Sequence, residues 1–224
     1  KKVIVGQDKM IDHLLVAMLA NGHVLLEGVP GVAKTMVIKL LSKAVDVKFS
    51  RIQFTPDLMP SDILGTSVFD LKKSEFEFRP GPIFANLILI DEVNRAPAKT
   101  QAAIKEIKEE RQITIDDKTN KMDVPFLVMA TQNPIEQEGT YRLPEAQLDR
   151  FMFKVIIDYP ELKEEYEILK REHEAISGDK TTEVKPVITA AKIAEYKTLV
   201  RQIIVEKNII EYIAQIVKNT RENP

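Results

Sequence analysis

Short apolar runs alternate along the chain with stretches in which apolar residues recur every three or four positions. The runs fall at His23–Leu26, Val47–Phe54, Leu87–Ile90, Phe126–Ala130 and Phe153–Ile157. Most are continuous rather than alternating, as expected of strands covered on both faces in a parallel sheet. Between them, Met36, Val37, Leu40, Leu41 and Ala44 follow Lys34 at helical spacing. Ala98–Glu109 carries Ala102, Ala103, Ile104 and Ile107 among charges, so both segments are predicted as crossover helices. An α/β layered domain follows from this pattern.

Beyond Tyr159 the strand-like runs stop. Leu162, Tyr166 and Leu169, then Ile193, Tyr196, Val200 and Ile203, then Ile209, Ile213 and Val217 keep helical period. Pro160 disfavours helix in the residue before it and marks the junction. The expected division is an α/β core over residues 1–158 and a small helical domain over 159–224, with a loop from Gly178 to Pro186. Within Lys163–Glu174, Leu162, Tyr166 and Leu169 are expected to face inward beneath a solvated Glu/Lys face. Two further segments, 65–85 and 113–124, read as β-hairpins projecting from the sheet's edge.

Composition narrows the classes. The chain is 44% hydrophobic and 29% charged, with 32 Lys+Arg against 34 Asp+Glu and a formal net charge of -2. That balance gives no global field toward nucleic acid or an anionic membrane. Cysteine is absent, which removes disulfides, thiolate metal sites and cysteine nucleophiles and fits a reducing, cytoplasmic setting. No apolar run approaches the roughly 18 residues of a membrane span. The start at Lys-Lys-Val and the end at Asn-Pro are compatible with a piece of a longer protein. His13, His23 and His173 share no ligand spacing and are expected in the core or on the surface; no G-x-S-x-G elbow occurs.

The strongest chemical signal follows the first strand. Gly28-Val29-Pro30-Gly31-Val32-Ala33-Lys34-Thr35 matches the phosphate-binding pattern G-x-x-x-x-G-K-[ST] except at Ala33, which replaces the second glycine. Backbone N–H groups of such a loop and of the helix behind it form an anion cradle. Lys34 is expected to neutralise β- and γ-phosphates and Thr35 to offer its hydroxyl to Mg²⁺. Ala33 is tolerable there if its position is already helical, since only a positive φ would demand glycine. Leu87–Ile90 runs into Asp91-Glu92. In a parallel sheet such a strand end opens onto the same crevice as the phosphate loop, so Asp91 is expected in the Mg²⁺ shell and Glu92 as the base that polarises water. Asn133, just past Phe126–Ala130, would orient that water or touch the γ-phosphate. Arg150, before the last strand, is of the type supplied to a neighbour's γ-phosphate.

Taken together, these residues resemble an AAA+ P-loop ATPase, and within that superfamily the MoxR group. The resembling stretches are Val5-Gly6-Gln7, His23–Thr35, Asp91-Glu92-Val93-Asn94-Arg95-Ala96, Ala130-Thr131-Gln132-Asn133-Pro134 and Leu143–Phe151. They span nearly the whole chain, and alanine before the loop lysine is usual in that group. The resemblance implies a parallel P-loop sheet sandwiched by helices, followed by a helical lid. It makes Lys34 and Thr35 the Walker A pair, Asp91 and Glu92 the Walker B pair, Asn133 sensor 1 and Arg150 an arginine finger acting across a subunit boundary, with Val5 and Gly6 bordering adenine. ATP, ADP and Mg²⁺ are the implied ligands.

The resemblance further implies a hexameric ring, a chaperone-like remodelling activity and a protein client, often a von Willebrand factor A domain protein. The segment Phe54–Gly65 with the hairpin to Pro82 corresponds to the group's insert in its second helix, and Ile113–Val124 to its pre-sensor-1 hairpin. Two departures stand out. The lid's second sensor arginine does not occur before Pro224 and is expected beyond it, leaving an incomplete lid. Lys105 and Lys108 replace residues that are usually apolar. Two alternatives remain: a nucleic-acid-processing AAA+ motor, against which the balanced charge argues, and a nucleotide-binding module that does not hydrolyse in isolation.

Overall fold

The structure, a computed structural model, describes residues 3–29, 31–115, 118–132, 143, 145–174 and 184–222. Five strands form one parallel sheet: β1 (Val24–Gly28), β2 (Phe49–Gln53), β5 (Leu87–Asp91), β8 (Leu127–Gln132) and β9 (Phe153–Ile157), in the spatial order β2-β5-β8-β1-β9. Each lies on a run expected from the sequence. Interior strand β5 shows why the runs are continuous. Leu87 and Leu89 point into one apolar cluster and Ile88 and Ile90 into another on the opposite face, and all four are fully buried. Each side chain so buried contributes about 1.5–3 kcal/mol relative to exposure.

Helices α1 (Asp8–Ala20) and α2 (Lys34–Ala44) cover one face and α4 (Ala98–Glu110) covers the other. Two hairpins stand apart as two-stranded sheets, β3 (Gly65–Asp70) with β4 (Glu75–Pro80), and β6 (Gln112–Ile115) with β7 (Lys118–Lys121). The first follows edge strand β2 through the short α3 (Pro60–Leu64). The second follows α4, and Ile113 and Met122 at its base join the core. A short α5 (Glu145–Leu148) precedes β9.

The C-terminal helices are α6 (Leu162–Glu174), α7 (Ala190–Arg201) and α8 (Lys207–Glu222). Here the structure departs from the expected inward stripe. Leu162, Tyr166 and Leu169 are 82%, 69% and 69% exposed, and α6 instead turns Ile168 and Glu172 toward the core domain. Periodicity identified the helix, but its apolar stripe of Leu162, Tyr166 and Leu169 faces out, while Ile168 on the other side reaches the core domain. Helix α7 packs on α1 through Ile193, and Val187 donates its backbone N–H to the Ala44 carbonyl. Helix α8 keeps Ile209, Ile213, Ile216 and Val217 exposed.

His23 is a core histidine, as expected. Its Nδ1 accepts the Val128 N–H at 3.1 Å and its Nε2 donates to the Lys108 carbonyl at 3.2 Å, which fixes the neutral tautomer. Burial pushes the imidazole from 6.5 down to about 4. Because the folded-state value lies below the unfolded one, the stabilising contribution is complete above pH 6.5 and is lost as pH falls toward 4. Urea unfolding is expected to show a loss of about 2 kcal/mol between about pH 7.5 and 5 from this residue alone. His23→Gln should be less stable near neutrality but lack that part of the slope, and an identical slope in the variant would refute the assignment.

Candidate functional site

The C-terminal edges of β1, β5 and β8 converge on a cleft of about 180 Å³ lined by Gly28, Gly31, Lys34, Thr35, Arg51, Gln53, Asp91, Glu92 and Thr131. Parallel strands ending at one edge make this the place where a loop-and-helix anion cradle opens. Gly28 closes β1 against β9, where an added Cβ would lie 2.4 Å from the Ile157 carbonyl oxygen. Gly31 has φ +88, which a glycine adopts freely. Behind them α2 begins at Lys34, so its unpaired first-turn N–H groups and positive dipole end point at the cleft.

Ala33 corrects an expectation. It is not helical but caps α2 with φ 58 and ψ 18, in the left-handed region that the missing glycine would have favoured. An alanine there carries roughly 1–2 kcal/mol of backbone strain. Lys34 donates from Nζ to the Gly28 carbonyl at 2.6 Å, closing the loop on itself. Burial lowers its pKa, with the charge of Asp91 partly offsetting this. A partly desolvated ammonium at a helix N-terminus is suited to meeting a phosphate.

Strand β5 delivers Asp91, and Thr131 of β8 holds it. The Thr131 hydroxyl donates to Asp91 Oδ1 at 3.1 Å and accepts the Glu92 N–H at 3.0 Å. Thr131 therefore ties the Asp91 carboxylate to the Glu92 backbone and is a site residue that the motif reading missed; its signal was a lone hydroxyl at the end of an apolar strand. Glu92 has left-handed backbone, φ 57 and ψ 50, and its carboxylate meets Arg95 Nε at 2.8 Å. The α4 start supports this turn, since Gln101 donates to the Val93 and Ala96 carbonyls. Arg51 of β2, also missed, donates from Nε to Asp91 Oδ2 at 2.5 Å.

A second, mainly apolar cavity of about 170 Å³ shares Gly31 with the cleft and is lined by Val3, Ile4, Val5, Gln7, Val32, Ala33, Met36, Pro160, Ile168, Arg171 and Glu172. Val5 lines this cavity. Gly6, with φ +74, lines a neighbouring groove beside Glu164. Val29 packs against the apolar cluster beneath the loop. Pro30 and Asn133 lie outside the described residues. Arg150 does not join the cleft. It pairs with Glu109 on α4, two residues before Met152, whose N–H bonds the His23 carbonyl at the start of β1. That is the N-terminal edge of the sheet, about one strand length of roughly 16 Å from the cleft. Next to it the Lys108 ammonium lies 3.7 Å from the Phe151 ring centroid, a cation–π contact that accommodates this charge in the core. Burial, with Arg150 nearby, lowers Lys108 to about 8.

Comparison with known proteins agrees with this geometry. Residues 23–153 match the model of the ATPase family associated with various cellular activities (AAA). Over 222 residues the chain is 46% identical to chaperone MoxR1 of Mycobacterium tuberculosis, covering 99% of itself and 58% of that protein. It is 47% identical to YeaC of Bacillus subtilis, covering all of itself and 69% of YeaC. A solved structure from Cytophaga hutchinsonii superposes with a TM-score of 0.88 at 46% identity, covering 98% of this chain and 66% of that one. The chain belongs to the MoxR-type AAA+ ATPases.

In MoxR-type terms the fold is the P-loop AAA+ sheet with its flanking helices, followed by helices of the lid. The chain spans 58% of the mycobacterial relative's length. Among the described residues no helix is long and apolar enough to cross a membrane. Thr131→Val tests the clasp at the MoxR-type site: it leaves the Glu92 N–H and one Asp91 oxygen without their partner, so stability should drop by about 1–3 kcal/mol in denaturant unfolding. A variant as stable as the parent would show that water replaces the hydroxyl.

Proposed function

We propose that this chain binds ATP across the two neighbouring cavities and hydrolyses it to ADP and phosphate, using the energy to remodel a protein partner. The observation that carries the reading is that Gly31 borders both an apolar cavity of about 170 Å³ and the cleft holding the Lys34 ammonium, the α2 N-terminus and the Asp91–Glu92 pair. Adenine would occupy the apolar cavity between Val5, Met36 and Ile168, with Gly6 shaping the turn beside it. Phosphates would meet the loop from Gly28 through Val29, Pro30, Gly31, Val32 and Ala33 to Lys34.

The donor set fits a divalent cation of the hard, oxygen-preferring kind: the Thr35 hydroxyl and the Asp91 carboxylate are the oxygens at hand. No group of three or more His, Cys, Asp or Glu able to hold a metal occurs among the described residues, so most remaining ligands would be phosphate oxygens and water. Mg²⁺ bound there would supply charge neutralisation on the β- and γ-phosphates. Lys34 would leave the Gly28 carbonyl for phosphate oxygen. Glu92 would turn from Arg95 and take a proton from the attacking water, while Asn133 would orient that water. Arg150, at the far edge of the sheet, would act on the site of a neighbouring copy rather than on its own, which supports an assembly, by family resemblance a hexameric ring. Chaperone is the name carried by the mycobacterial relative; a protein client, of which a von Willebrand factor A domain protein is one candidate, is proposed on that analogy.

Phosphate release and ATP binding measured on the same samples test these roles. Lys34→Ala should lose ATP binding, whereas Glu92→Gln should bind ATP and lose about 100-fold or more in turnover. Arg150→Ala should bind normally and fail to turn over. Undiminished hydrolysis by Glu92→Gln would remove the assigned base.

A further inference from the structure

Asp91 is nearly buried, and each of its oxygens is occupied. Oδ1 takes the Thr131 hydroxyl and Oδ2 takes Arg51 Nε at 2.5 Å. The two partners are held very differently. Thr131 is buried, and its oxygen is also bound to the Glu92 N–H, so it cannot move without unpairing a backbone donor. Arg51 is a long side chain, 53% exposed against 11% for Asp91. Strand alternation sends Ile52 into the core and leaves Arg51 and Gln53 on the cleft side of β2. The guanidinium can leave for water at little cost, whereas the carboxylate cannot.

We propose that Arg51 is an internal counter-cation for Asp91 that competes with the divalent cation for the same carboxylate oxygen, so that metal binding expels Arg51 from the cleft. The proposal rests on the reading of Asp91 as a metal ligand. An almost buried carboxylate without a cation is costly; the Lys34 ammonium lies near enough to interact with Asp91 but donates to the Gly28 carbonyl, so the cation hydrogen-bonded to Asp91 is Arg51. Arg51 therefore keeps the cleft neutral before the metal arrives, and its presence sets how much metal is needed. A half-exposed pair of this kind is weak enough to be displaced: its loss should shift the metal requirement by a factor of about five.

Equilibrium binding of mant-ADP to the full chain, repeated over a series of magnesium concentrations, measures the metal midpoint. Arg51→Gln should lower that midpoint about five-fold. Arg51→Lys, which keeps the charge without the planar fork, should fall between Arg51→Gln and the parent. Asp91→Asn should raise the midpoint or abolish the magnesium dependence. Thermal unfolding separates competition from a purely structural role, because a structural arginine would leave the same melting gap at every magnesium concentration. Arg51→Gln should melt below the parent in EDTA and level with it at saturating Mg²⁺ and ADP. A midpoint in Arg51→Gln equal to or above the parent's, with Asp91→Asn still impaired, overturns the competition and leaves the nucleotide site standing. A melting gap that persists at saturation overturns it equally. If Asp91→Asn keeps the parent's midpoint, the cation is not at Asp91, and both readings fall.

Discussion

A carboxylate at the end of an apolar strand is the constraint around which this fold is arranged. Leu87–Ile90 must be covered on both faces, which calls for helices on each side of the sheet and puts β5 near its middle. The same covering takes Asp91 out of water. A charge so placed has to be met by donors from neighbouring strands, and it is: Thr131 comes from β8 on one side and Arg51 from β2 on the other. The sheet order therefore decides the chemistry, because the strands beside β5 supply the hydrogen-bond donors to that acid.

The sheet and the loop were legible in the sequence because both depend on local rules. Continuous runs of Leu, Ile and Val mark strands buried on two faces, and the spacing from Gly28 to Thr35 is set by backbone geometry at one turn. What escaped depends on partners remote in sequence. Thr131 and Arg51 carry no motif of their own; each matters because β5 lies beside its strand, 40 residues away in both cases. Ala33 was misjudged for another reason. Whether the residue before Lys34 is already helical depends on where the first turn starts, and the helix begins one residue later than the tolerance for alanine assumed.

The C-terminal helices show the same limit from the opposite side. Periodicity found α6, α7 and α8, yet it does not say which side of a helix is covered. In α6 the apolar stripe of Leu162, Tyr166 and Leu169 faces out, while Ile168 and Glu172 on the other side line the apolar cavity. Lys108 is the converse case. Its charge sits against the core because an aromatic face at Phe151 receives it and its own carbonyl anchors His23, neither of which is visible from the charge pattern of α4.

One consequence of Gly28 concerns spacing. Strand β9 runs past it at a distance that leaves no room for a methyl group, and β9 leads within a few residues to Pro160, which walls the apolar cavity. The gap between the phosphate loop and the start of α6 is therefore gauged by a missing side chain. Any alanine at that position would act as a wedge, driving Ile157 outward and pushing the phosphate loop away from the wall of the apolar cavity.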